Sequence, residues 1–241
     1  MALGNVVLGL ASIALGLRQL SAGVRHLGYS SNTTRSQRAS RTYGGTSARS
    51  FVGTYPKGFE GQRALTPSGD IRLRTYQIRS LDQRIEHLRR LVEQGKRDPV
   101  VYEFARRAVN KKCGSRWCIP EKDNLAEIKA LFDAVRQNVR YTSDIAGIDS
   151  YQSPRHTLKL RTADCDDFSS LACAAAATLG LPCRFKVIRT KGSPEWNHIY
   201  AQVGHPRRNP QRWISFDASV NMPVGWEAPK RMVDASRIFP T

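Results

Sequence analysis

Cys165 is the residue of this sequence best suited to covalent chemistry. It stands in Arg161-Thr162-Ala163-Asp164-Cys165-Asp166-Asp167-Phe168, ahead of a helical stretch through Leu179 that Gly180 and Pro182 end. A thiol in the first turn of a helix meets unpaired N–H groups and the positive end of the helix dipole. Both favour thiolate, and the N–H groups can also donate to an oxyanion. Asp164 or Thr162 caps that turn, and Asp166 and Asp167 suit its dipole. Alone, such a cysteine reads as a small buried residue. Three alternating stretches, Cys183–Thr190, Trp196–Gly204 and Arg212–Ser219, change the reading, because each looks like a strand bounded by Gly, Pro or basic turn residues. The second carries His198 near its beginning and the third carries Asp217 near its end. Nucleophile, base and base-orienting carboxylate then come from neighbouring elements.

Several further segments share one pattern with these. They are Asn138-Val139-Arg140-Tyr141, Ser153-Pro154-Arg155-His156-Thr157-Leu158, Gly180-Leu181-Pro182-Cys183-Arg184-Phe185, Asn197-His198-Ile199-Tyr200-Ala201, and Phe216-Asp217-Ala218-Ser219 before Gly225-Trp226-Glu227. In order and spacing they resemble the transglutaminase-like superfamily, especially its bacterial and phage-encoded members, over a little more than half of the chain. Ala163 stands where that family usually has Gly. The resemblance implies an α+β, papain-like fold in which a nucleophile helix packs on an antiparallel sheet, with helices on its N-terminal side. It also implies Cys165 as nucleophile, His198 as general base and Asp217 as the group fixing the imidazole tautomer. The reaction implied is acyl transfer at an amide, through a thioester resolved by water or an amine. The Cys165 N–H is one oxyanion donor, and Gln152 is the candidate for a second because a side-chain amide is the right donor type. No cofactor is expected. Asp164, Asp166 and Asp167 near His198 are read as capping and salt-bridging acids and not as a metal site.

The elements that must position these groups are legible upstream. Ser80 and Gln83 form a capping box for a connecting helix over 80–97, with Leu81, Ile85, Leu88 and Val92 as its apolar stripe and Gly95 as its stop. The transglutaminase-like domain is expected over 98–241, ending in a C-terminal tail. Asp98-Pro99 opens its first helix, with Val101, Phe104, Ala105 and Ala108 on one face. A further helix from Asn124 to Val139 buries Leu125, Ile128, Leu131, Phe132, Val135 and Val139. A loop with Gly147 and Pro154 leads to the nucleophile.

Before residue 80 the sequence changes character. Residues 1–27 are expected to form an apolar helix, whose run from Val6 to Leu17 is short of the ~20 residues of a membrane span. It reads as a packing helix, a membrane-associating helix or a signal. Residues 28–79 read as an extended basic arm, with Ser, Thr, Gly and Arg and no acid before Glu60. The whole chain of 241 residues carries 38 Lys and Arg against 20 Asp and Glu, a net +18 that favours polyanionic partners. Nucleic acid or an anionic membrane is the expected partner of residues 1–60, and a peptide or protein amide that of the domain. A virion is one setting, with virion proteins as partners and a structural role for the fold; the bacterial cytoplasm or envelope is the other.

The five cysteines are too few and too irregular for a disulfide framework. Cys113 and Cys118 form either a local disulfide or two free thiols, while Cys173 and Cys183 are expected in the core as small apolar residues.

Overall fold

A computed structural model describes residues 59–66, 69–144 and 149–241. The apolar segment 1–27 and the arm up to residue 58 lie outside the described residues. Ser80–Thr241 form one compact unit, and the described residues before them belong to another. In the latter, β1 (Phe59–Thr66) and β2 (Gly69–Tyr76) pair antiparallel from Phe59↔Tyr76 to Thr66↔Gly69. Regular pairing therefore replaces the extended arm expected over this stretch. Ile71, Leu73 and Thr75 alternate with Arg72, Arg74 and Tyr76, a period of two that the arginine content obscured.

The larger unit mixes helices with an antiparallel sheet. Helix α1 (Leu81–Gly95) starts where the capping box placed it, with the Gln83 N–H donating to Ser80 Oγ at 3.2 Å. In α2 (Pro99–Val109), Asp98 Oδ1 accepts the Val100 N–H at 2.8 Å and Pro99 occupies the first turn, where its missing N–H costs nothing. Next come α3 (Asn124–Asn138), α4 (Pro154–Leu160) and α5 (Cys165–Thr178). The short α4 replaces part of the expected loop. Its signal was Ser153-Pro154, a cap followed by a first-turn proline, in a run too brief to show periodicity.

Helix α5 is the centre of the fold. Every residue from Asp166 to Ala176 is buried, and the helix packs against α1, α2, α3, α4 and the sheet. Alanines at 172 and 174–176 let those neighbours approach on all sides. At one such contact an added methyl on Gly95 would stand 2.6 Å from Pro154 Cγ and 2.8 Å from Ala174 Cβ. Gly95→Ala is expected to lower stability by about 1–3 kcal/mol through overpacking. The urea midpoint measures this, and an unchanged midpoint would mean that the three elements separate at no cost.

The sheet runs β10-β7-β8-β9, all antiparallel, from β7 (Cys183–Thr190), β8 (His198–His205), β9 (Arg212–Phe216) and β10 (Val233–Pro240). The expected C-terminal tail thus supplies an edge strand. A register shift between Val233 and Ala235 breaks its alternation, and it ends on Pro240, a residue that edge strands tolerate. β9 is shorter than expected and stops at Phe216, so Asp217 stands just beyond its end. Two small pairings complete the unit: β3 (Lys112–Cys113) with β4 (Arg116–Trp117), antiparallel, and β5 (Arg140–Tyr141) with β6 (Thr162–Ala163), parallel.

Cysteine pairing corrects the reading of the sequence. Cys113–Cys118 and Cys173–Cys183 are disulfides, and Cys165 is the free cysteine. Cys173 and Cys183 do lie in the core, as expected, but helix α5 running back along β7 brings their Cα atoms to 5.3 Å. Sequence spacing alone does not reveal that approach.

Candidate active site

His198 and Asp217 meet directly. β8 begins at His198, and Asn197 pins that beginning to the end of β7. Its Oδ1 accepts the Thr190 N–H at 2.9 Å and its Nδ2 donates to Thr190 Oγ1 at 2.8 Å. The ring of His198 then lies with Nε2 2.7 Å from Asp217 Oδ2. The other carboxylate oxygen accepts the Ser219 hydroxyl at 2.6 Å and the Ser219 N–H at 3.3 Å. With Nε2 engaged, Nδ1 is the ring nitrogen left to take a proton.

The electrostatics follow from this pairing. Burial alone would push the Asp217 carboxyl up, but the charge and hydrogen bond of His198, with the Ser219 donors, hold it below the usual carboxylate range. Burial likewise pulls His198 down. The Asp217 carboxylate outweighs it, with Asp166 assisting, and the imidazole ends above its ordinary value. A raised imidazole is a stronger base.

Cys165 is partly buried at the first position of α5. Asp164 is the cap: its Oδ1 accepts the Asp167 N–H at 3.1 Å, which leaves the earlier N–H groups of the turn without helical partners. Ser169 Oγ, one turn on, lies 2.7 Å from the Cys165 carbonyl and 3.2 Å from that of Ile199, joining the nucleophile turn to the residue after His198. The thiol is pushed well above its ordinary value by burial first, then by Asp166 and Asp164, while the Ile199 backbone N–H acts the other way.

Ala163 adopts no left-handed conformation. It lies in β6, paired with Tyr141, and the left-handed residue is Arg161, at φ 59°, which ends α4. Gln152 sits beside the nucleophile turn. Its backbone N–H donates to Asp167 Oδ1 at 2.7 Å and its Nε2 donates to the Thr162 carbonyl at 3.2 Å. One amide hydrogen remains.

The sequence reading missed Arg84, which reaches this region from α1. Arg84 is ion-paired with Asp149, and Tyr151 also donates to Asp149, at 3.3 Å. Its guanidinium opposes the rise that burial imposes on Asp166. No spacing rule joins residue 84 to a site some eighty positions away, so only the packing of α1 on α5 exposes the relation.

The acids around Cys165 are raised above the ordinary carboxylate range. Burial, with Asp166 and Asp167 adding to it, pushes Asp164 up to about 8. Burial also pushes Asp167 up to about 7, against the Gln152 N–H, and Asp166 up to about 6. Asp167 Oδ2 and Gln152 Oε1 are buried acceptors without a partner, and a proton on Asp167 turns one of these into a donor. Ligand atoms of Asp164, Cys165 and Asp166 lie within 4.8 Å of one another, a spacing compatible with a cation, but burial favours protons on these acids.

Folded values above the unfolded ones mean that this part of the stability is fully present below the ordinary carboxylate range of ~4 and is lost as pH rises through about 6 to 8. The thermal unfolding midpoint is therefore expected to be higher near pH ~5.5 than near pH ~8.5. Asp164→Asn, which keeps a capping oxygen, should flatten that dependence. A midpoint that climbs with pH would contradict it.

A groove of about 750 Å³ lies elsewhere, between α2 and α3, lined among others by Phe104, Arg107, Asp133, Gln137 and Leu158. None of these is one of the candidate site residues.

Residues 115–218 match the sequence profile of the transglutaminase-like superfamily. No curated protein matches the chain. Among solved structures the chain is similar to a protein from Cytophaga hutchinsonii, described as a candidate cysteine protease, with 17% identity, 76% of this chain and 71% of that chain covered, and a TM-score of 0.39. It is also similar to a TGase, with 16% identity, 72% of this chain and 47% of that chain covered, and a TM-score of 0.34. The chain thus spans about half the length of that TGase.

Proposed function

Because residues 115–218 form a transglutaminase-like domain, we propose that this protein is a cysteine amidase or peptidase. It transfers the acyl group of a peptide or protein amide through Cys165, His198 and Asp217. The observation that carries the reading is the part-buried His198–Asp217 pair, 2.7 Å apart, at the start of the strand against which the Cys165 turn packs.

In this reading His198 Nδ1 takes the thiol proton as sulfur attacks the amide carbonyl. The Cys165 N–H holds the oxyanion, and the remaining amide hydrogen of Gln152 is the second donor. Collapse breaks the C–N bond, His198 returns the proton to the departing amine, and a thioester remains. Water or an amine then takes up the acyl group. Asp217 keeps the imidazole in the tautomer with its proton on Nε2.

The charge surplus supports a second component, a polyanion or anionic-membrane contact through residues 1–60. A virion, where the fold would also serve a structural role among virion proteins, or a bacterial envelope, is a setting that supplies such partners together with peptide amides.

Cys165 is the free cysteine, so iodoacetamide offered to the unreduced protein reports on it alone. Near neutral pH, one alkyl group is expected at Cys165, and His198→Ala should slow its addition by about 10²-fold or more, in line with loss of a positioned base. Equal, slow labelling of both proteins would remove the enzyme reading and leave a binding protein of the same fold.

A further inference from the structure

The β3–β4 hairpin presents a different chemistry. Every residue from Lys111 to Trp117 is exposed, and Trp117, at 55% exposure, is the most open of the large apolar side chains among the described residues. Cys113–Cys118 ties the hairpin shut, and the Cys118 N–H donates to the Lys111 carbonyl at 2.9 Å. Trp117 pairs with Lys112 across the strands, and Lys112 Nζ stands 3.5 Å from the centre of the indole ring. From Phe104 to Pro120 there is no acidic residue. The helix turn leading into the hairpin repeats the pairing, with Arg106 5.6 Å from the ring centre of Tyr102, itself 44% exposed.

We infer that this hairpin is a docking surface for an unpaired polynucleotide strand, with Trp117 as the stacking platform and Lys111, Lys112 and Arg116 as phosphate contacts. A disulfide-closed loop holds an exposed indole without an ordering cost at binding. One face of that indole already carries a cation, so the partner has to supply a flat π surface and negative charge at close intervals, as a single strand of nucleic acid does. A lipid surface fits less well. The hairpin tip, Gly114 and Ser115, offers nothing apolar to insert, and sinking the ring would take the Lys112 ammonium into the acyl boundary. The hairpin belongs to the Ser80–Thr241 unit, and its proposed role is independent of the acyl-transfer reading.

The test uses the full chain and oligo(dT), with Trp117 fluorescence taken as the difference between wild type and Trp117→Phe. That difference isolates the hairpin from the other tryptophans and from binding by the arm. Oligo(dT) is expected to quench the difference signal saturably. Trp117→Ala should weaken binding by about tenfold, and Lys111→Gln with Lys112→Gln should reduce the salt slope by about 0.7 per lost contact. The inference falls if Trp117→Phe leaves the quenching unchanged, or if Trp117→Ala binds as tightly as wild type. It also falls if anionic phospholipid vesicles or heparin produce the Trp117 signal as well as oligo(dT) does.

Discussion

Asp217→Asn is expected to lower the rate of Cys165 acylation by roughly 10³–10⁴-fold with little change in fold. The carboxylate is buried, accepts from Ser219 on one oxygen and meets His198 Nε2 on the other. Asparagine keeps the shape but not the charge, and it can present an N–H where His198 needs an acceptor. The imidazole then has reason to carry its proton on Nδ1, the nitrogen proposed to receive the thiol proton. The charge has a separate signature. Asp217 is what raises His198, and the proposed reaction needs the neutral ring, so activity in the wild type should climb with pH through a value above the ordinary 6.5. In the variant that acid limb should move to lower pH as the rate falls. Acylation by a p-nitrophenyl ester, followed as intact mass against pH, measures both. A full rate with an unmoved limb would show that the carboxylate neither orients nor charges the base.

The second large effect concerns stability. Replacing Cys173 and Cys183 together with Ala is expected to cost about 2–4 kcal/mol, from a loop closed over a sequence separation of 10. Both residues are buried, and their bond joins the middle of α5 to the first residue of β7. Alanine avoids the penalty of a buried hydroxyl, so the loss reports on the crosslink and the missing sulfur volume. Urea unfolding of the variant and of wild type under oxidising conditions gives the comparison. Equal midpoints would mean that helix packing alone fixes α5 on the sheet. Replacing Cys113 and Cys118 should matter less for global stability, because their loop is shorter and lies at the surface.

What the sequence revealed and concealed follows from the range of each signal. Caps, first-turn prolines and periodic apolar faces act within a few residues, so α1, α2, α3 and the strand Cys183–Thr190 were legible. The His198–Asp217 contact was also within reach, since adjacent strands had to bring them near each other. Long-range consequences were not. The influence of Arg84 on Asp166 and the approach of Cys173 to Cys183 depend on how α5 lies within the finished packing, and β10 on its pairing with the distant β7. β1 and β2 were missed for a local reason, because alternating arginines suggested solvation where a strand face satisfies the same pattern.

The burial of α5 has one more consequence. From Asp166 to Ala176 no position on the helix faces water, so the segment behind the sulfur has no site where a change is cheap. An experimenter wishing to retune the thiol, or selection acting on it, has to work from the flanks, through Arg84, Asn197 or Ser219. In this protein reactivity and foldability draw on the same residues, and variants that gain one without touching the other should be scarce along that stretch.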